Sequence, residues 1–352
     1  MSILFTPIQL GGVTLNNRII MAPLTRCRSD DKRIPTQLMQ QYYRQRASAG
    51  LIISEGTCIS PMSVGYPNTP GICNTQQIIN WQLITDEVHN AGGKIFMQLW
   101  HVGRLSDPYY LNGKLPVSSS NIAAQGNVSQ LRPITPYIAP KSLTIAEIKE
   151  TIQHFKRAAH NAKKAGFDGV TIHGANGYLI DQFIQDNCNI RKDEYGGSIE
   201  NRSKFMLEVT DAVCEVWDPA YVGMHLSPRC DRQIDKGDST PLETFSYIAS
   251  ELGKKKLAFI FARASISNDN LHLKLKTAFK GSYIINQEIK KDIAEKLITN
   301  KEADAVAWGQ LFISNPDLVY RFEHNRALNN PLPEFFYSGG SKGYIDYQFC
   351  NN

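Results

Sequence analysis

Residues 173–178 read HGANGY, and three of these side chains could act on a single oxygen atom. His173 and Asn176 can each donate a hydrogen bond, so together they can hold a carbonyl or phenolate oxygen and draw electrons out of a conjugated system. Tyr178 can deliver a proton without leaving a charged base behind. The same three residues could equally do no more than satisfy a loop, and the spacing leaves both readings open. Elsewhere, Thr25 and Gln98 could meet the heteroatoms of a planar cofactor, Gly56 would permit its close approach, and Trp100 could line a flat substrate pocket. Trp100 beside Gln98 also reads as ordinary core, and His101, Arg104 and Asp107 as a loop ion network. No CxxC pair, HExxH motif or close His/Asp triad points to a metal, so none is expected.

Positioning these groups requires strands that end where they begin. Short apolar runs recur at RIIMA (18–22), LIIS (51–54), IFMQL (95–99), GVTI (169–172), VGMHL (222–226), LAFIF (257–261), YIIN (283–286) and AVAWG (305–309). With helical segments between them they predict a parallel sheet, and eight strands suffice to close a (β/α)8 TIM barrel. The HGANGY segment follows GVTI, so its polar groups project at the strand-end mouth. Thr144 with Glu147 predicts a capped helix whose apolar stripe is Ile148, Ile152, Phe155, Ala159 and Ala162; Thr240, Pro241 and Glu243 predict a second capping box. Residues 101–143, rich in Pro, Gly, Ser and Asn, exceed an ordinary connection and read as a long excursion over the C-terminal face, with room for a hairpin. No interior linker stands out, so residues 1–352 read as one domain.

Composition narrows the function classes. The 352 residues are 42% hydrophobic and 20% charged, and a formal charge of +5 at this length demands neither nucleic acid nor an acidic membrane as partner. No run approaches the roughly 18 apolar residues of a membrane span, and the first residues lack a basic segment followed by an apolar one, so a cytoplasmic protein is expected. Seven scattered cysteines fit reduced thiols better than a disulfide framework.

Several long motifs in order resemble the old yellow enzyme family of FMN-dependent ene-reductases, especially its bacterial N-ethylmaleimide and xenobiotic reductase branch. They are LFTPIQLGGVTLNNRIIMAPLTR at the start, YPNTPGI at 66–72, HGANGYLIDQF, DEYGGSIENRSKF at 193–205, FISNPDLVYRF at 312–322 and the closing FFYSGGSKGYIDY. The resemblance implies a barrel bearing FMN that takes hydride from NADPH or NADH and passes it to an electron-poor alkene or nitro compound. It implies that His173 and Asn176 hold the substrate oxygen and Tyr178 donates the proton. Thr25 and Gln98 would meet the flavin, with Pro23, Leu24 and Gly56 lining the ring. Tyr66, Trp100, Phe336 and Tyr337 become substrate-pocket candidates. A monomer or homodimer with small-molecule partners is expected.

Three regions depart from the family pattern, all at the flavin. His225 stands where an arginine usually supports the flavin N1–O2 edge. After Asn286, Gln287 and Glu288 replace a glycine pair at the phosphate turn, and Gly309 is followed by Gln310 where an arginine grips phosphate. Glu288 adds a negative charge, and Gln310 cannot offer a guanidinium fork. The expectation is therefore an ene-reductase with weakened flavin binding; the alternative is a flavin-free barrel acting as a ligand-binding or interaction protein.

Overall fold

The computed structural model describes residues 2–229, 237–264, 266–267 and 269–350. Eight parallel strands close on one another: β1 (Ile19–Met21), β2 (Leu51–Cys58), β3 (Ile95–Trp100), β4 (Gly169–Gly174), β5 (Val222–Leu226), β6 (Phe259–Arg263), β7 (Ser282–Asn286) and β8 (Ala305–Trp308). Neighbours in sequence pair, and β8 returns to β1 through Trp308 against Met21. The chain is a TIM barrel, and each predicted apolar run supplies one of its strands.

Alternation along the strands explains where the polar groups go. Side chains of a strand alternate between the barrel interior and the helix layer. Ile20, Ile53, Phe96, Phe259, Ile284 and Ala305 share one interior cluster. Two residues further along the same faces stand Gln98 after Phe96, Asn286 after Ile284, and, past Phe261, Arg263. The interior thus changes from apolar to polar at the C-terminal end. A short antiparallel ribbon, Ile8–Leu10 against Val13–Leu15, packs Leu10, Val13 and Leu15 into that cluster. The sequence reading did not anticipate this ribbon, because three-residue strands carry too little alternation to detect.

The helix Ile145–Lys164 has the predicted reciprocal cap between Thr144 and Glu147, and Ile148, Ile152, Phe155, Ala159 and Ala162 are buried. The second capping box is not formed. Pro241 does occupy the start of the helix Pro241–Lys254, but Thr240 makes no side-chain cap. Asp238 takes over, accepting from the Thr240 N–H at 3.0 Å and the Thr244 hydroxyl at 2.8 Å, and it also pairs with Arg202. A carboxylate two residues upstream is the stronger acceptor, so it displaces the threonine hydroxyl.

Residues 101–143 leave β3 and return before the capped helix. Their base pairs in parallel, Val117–Ser118 with Lys141–Ser142, and their tip folds back through an antiparallel bridge between Asn127 and Pro136. Arg104 donates to the Ile122 carbonyl at 3.0 Å, and Asp107 accepts the Tyr109 N–H at 2.9 Å, so these residues shape the loop through backbone groups rather than an ion network.

The C-terminal strap is held by buried arginines. Arg26 donates to the carbonyls of Phe336 and Gly343 at 2.9 and 2.8 Å, and Arg28 to that of Phe335 at 2.8 Å. Tyr344 stacks on Tyr42 with centroids 4.2 Å apart. The strap therefore crosses the mouth beside β1. Among the described residues the cysteines are free, while Cys230 lies outside them.

Candidate active site

A cavity of about 850 Å³ opens at the C-terminal end of the barrel. Its wall contains every site residue named from the sequence: Pro23, Leu24 and Thr25 after β1; Gly56 and Tyr66 from β2 onward; Gln98 and Trp100 on β3; His173, Asn176 and Tyr178 from β4; His225 on β5; Asn286, Gln287 and Glu288 at β7; Gly309 and Gln310 after β8; and Phe336 and Tyr337 on the strap. Phe261, Arg263, Lys290 and Lys291 also line it and escaped the sequence reading. Strand parity is a signal that could have found Arg263, since it stands two residues beyond Phe261 on the inward face of β6.

Hydrogen bonds made behind the site decide which atoms face it. His173 accepts the Ala175 N–H on Nδ1 at 3.3 Å, which leaves its ring proton on Nε2. Burial, with the Arg263 charge adding to it, lowers its pKa to about 3, so the ring is a neutral donor. Asn176 adopts φ +57, a left-handed turn that asparagine tolerates, and its N–H donates to the Ser227 hydroxyl at 2.6 Å. Its side-chain oxygen accepts from Arg263 at 2.6 Å, which leaves the amide nitrogen as the donor. Tyr178 meets the rings of His173 and Trp100 edge-on, with centroids 4.9 and 5.0 Å away, and its hydroxyl lies 3.0 Å from that of Tyr66. Burial raises the Tyr178 pKa well above its ordinary value, so the phenol keeps its proton.

His225 is set by the same logic. The Gln98 amide donates to its Nδ1 at 3.1 Å, so Nε2 carries the proton. Burial, reinforced by His173 and Arg263, holds the ring neutral. Its Nε2 is buried without a partner among the described residues, although the residue lines the cavity. A buried donor without an acceptor is costly, so this atom calls for an acceptor in the cavity. A ring oxygen or nitrogen of a bound heterocycle would supply one.

Gly56 lines the cavity, and a Cβ there would lie 2.7 Å from the Trp100 ring, so the glycine makes room for that tryptophan. Trp100 is in turn 1% exposed and packs against Tyr66 with centroids 5.5 Å apart.

At the β7–β8 side the backbone keeps a conformation its residues resist. Gln287 has φ +110 and Glu288 φ +54, the region that favours glycine. Such residues cost on the order of 1–3 kcal/mol each and persist only when the surroundings hold them. Arg263 donates to the Gln287 side-chain oxygen at 3.1 and 3.0 Å, and the Asn286 amide donates to the Ala307 carbonyl at 2.6 Å. Lys290 and Lys291 add cations to this wall, with Lys291 also donating to Asn325 at 2.7 Å. The cations, the turn and the Gln310 amide fit a phosphate, while the Glu288 carboxylate opposes it. Among the described residues no group of His, Cys, Asp or Glu gathers to hold a metal, and no helix is long and apolar enough to cross a membrane.

The comparisons with known proteins agree in kind. Residues 3–329 match the profile of the NADH:flavin oxidoreductase / NADH oxidase family. The chain is 37% identical to a probable flavin mononucleotide-dependent alkene reductase of Leishmania infantum, covering 99% of this chain and 97% of that protein. A solved structure of morphinone reductase in complex with tetrahydroNAD superposes with a TM-score of 0.94 at 42% identity, covering 99% and 98% of the two chains. An old yellow enzyme homologue from Zymomonas mobilis does so with a TM-score of 0.94 at 40% identity, covering 98% and 99%.

Proposed function

The chain belongs to the NADH:flavin oxidoreductase / NADH oxidase family, the old yellow enzyme lineage, as an NAD(P)H-dependent flavin oxidoreductase, and on that premise we propose that it reduces electron-poor alkenes conjugated to a carbonyl or nitro group. One observation carries this reading: two neutral donors, His173 Nε2 and the Asn176 amide, share a cavity with a phenol that keeps its proton. FMN, when bound, supplies hydride transfer between the reduced nicotinamide and the alkene.

The residues of the chain divide the remaining tasks. His173 and Asn176 bind the substrate oxygen and favour the negative charge that grows on it, which polarises the double bond. Neutrality matters, because an uncharged donor stabilises that charge without protonating the oxygen first. Tyr178 holds a proton for the α-carbon, with the Tyr66 hydroxyl 3.0 Å behind it. Trp100, Tyr66, Phe336 and Tyr337 supply the aromatic lining of the pocket. Thr25, Gln98 and His225 would meet the flavin ring, with Pro23 and Leu24 against its edge. Gln287, Gly309, Gln310 and the two lysines would meet its phosphate, which is held less firmly because Glu288 stands in the same wall. N-ethylmaleimide, activated by two carbonyls, is a suitable probe alkene; a cytoplasmic location and a monomer or homodimer belong to the same proposal.

The test is direct. Purified protein reconstituted with FMN should be yellow, bleach with NADPH or NADH under anaerobic conditions, and recover its colour when N-ethylmaleimide or a cyclic enone is added. A protein that takes up no FMN, or whose reduced flavin is indifferent to such alkenes, would overturn the reading.

A further inference from the structure

The geometry points to Arg263 as a positioning residue that keeps the Asn176 amide turned with its nitrogen toward the substrate oxygen. This rests on the function proposed above and names what maintains its oxygen-binding pair. A side-chain amide has two orientations that differ little in shape but present opposite chemistry: oxygen outward accepts, nitrogen outward donates. Only the second can hold an anionic oxygen. Arg263 Nη1 lies 2.6 Å from Asn176 Oδ1, and a guanidinium has donors only, so this contact excludes the flipped amide. The arginine reaches Asn176 across an intervening strand, from the end of β6 past β5 to the turn after β4. Its other contacts explain why it stays there: Nε and Nη2 both reach the Gln287 side-chain oxygen, at 3.1 and 3.0 Å. A planar fork gripping one carbonyl oxygen while its remaining nitrogen holds another is an arrangement lysine cannot reproduce. The partner His173 needs no such help, since the Ala175 N–H already fixes its ring proton. Arg263 thus links the donor pair on one wall to the strained turn on the other.

If Arg263 acts through Asn176, removing both must cost no more than removing Asn176 alone. The experiment measures the affinity of FMN-loaded protein for a para-substituted phenolate in four forms: unchanged, Arg263→Met, Asn176→Ala and the double variant. FMN affinity is measured alongside. Arg263→Met should weaken phenolate binding roughly tenfold when Asn176 is present and less than about twofold when it is added to Asn176→Ala, while any loss of FMN affinity from releasing Gln287 stays smaller than the loss of phenolate and is the same with and without Asn176. Arg263→Lys, which can still donate to Asn176 but cannot hold Gln287 as well, should recover part of the loss. Additive losses in the cycle, or a loss of FMN that exceeds the loss of phenolate, would overturn the assignment. Failure of the unchanged protein to bind FMN or phenolate would instead strike the proposed function, before any variant is compared.

Discussion

The cavity has two unlike walls. From β3 to β5 three working groups stand buried on the strands themselves, each held by a hydrogen bond, Gln98 being 2% exposed, His173 5% and His225 2%, and only Asn176, in the turn just past β4, is half-buried with a positive φ. From β7 to β8 the corresponding groups sit on an irregular turn, Glu288 and Gln310 are exposed, and two non-glycine residues hold positive φ. Under the proposed function the difference teaches that ring and substrate recognition would be built into the barrel itself, whereas phosphate recognition would be left to segments beyond it. Departures from the family pattern collect where side chains can change without disturbing the packed interior. His225 is the exception: Gln98 donates to its Nδ1 and the Phe261 ring stacks on it with centroids 4.2 Å apart, while its Nε2 waits for an acceptor in the cavity.

The largest effects should come from the buried wall. His173→Ala should slow alkene reduction by about 10²–10³ while leaving FMN affinity unchanged, the cost of one donor acting mainly in the transition state. Stopped-flow traces of the oxidative half-reaction check this, and a matching loss of FMN would merge the two walls into one functional unit. Tyr178→Phe should slow the same half-reaction by about a hundredfold, the lower end for a positioned acid, and flavin reduction by NADPH far less. Equal slowing of both would make Tyr178 structural.

The outer wall should answer in affinity instead. Gln310→Arg combined with Gln287→Gly and Glu288→Gly should tighten FMN by about ten- to a hundredfold, as expected for a regained charge-assisted contact, and riboflavin little. Fluorescence titration of the FMN-free protein with both flavins separates the cases. Tight FMN binding with a strong phosphate preference in the unchanged protein would show that Lys290 and Lys291 already suffice.

The smallest effect concerns acid. His101 and His173 have folded pKa values near 3, in both cases first through burial, and His225 lies well below its ordinary value. Below about pH 6.5 the unfolded chain binds protons that the folded chain refuses, so stability should decline as pH falls from there toward 3. Glu55, pushed up to about 7 by burial, works in the opposite sense: the folded state binds its proton more readily, so its contribution is lost as pH rises from about 4.5 through 7. Three histidines outweigh the single Glu55, so melting temperature should rise from pH 4 and level off near pH 7. Replacing His101, which lies outside the cavity, should flatten the acid side without changing FMN affinity.

What could be read from the sequence follows the same division. Barrel strands announce themselves because burial on both faces demands continuous apolar runs, and the motif HGANGY falls at a strand end by simple order. Gln98, His225 and Asn286 were legible for that reason. Parity could have turned Arg263 inward without revealing its role, because its partners Asn176 and Gln287 lie beyond other strands and only closure of the barrel brings them together. Lys290 and Lys291 look like any solvated pair at the start of a helix. A glycine at a strand end, such as Gly56, records a close approach without saying by what, and the contact with Trp100 could not be read from the sequence.

The arginines under the C-terminal strap recognise main-chain carbonyls at Phe335, Phe336 and Gly343. Every amino acid offers that same carbonyl, so these three contacts do not depend on the side chains at 335, 336 and 343, and the side-chain anchor of the segment is Tyr344 on Tyr42. Positions 336 and 337 are consequently free to vary in size and polarity while staying over the mouth. A library randomised at these two positions should yield folded proteins with altered alkene preference, giving the lineage a place to explore new substrates at little risk to its scaffold.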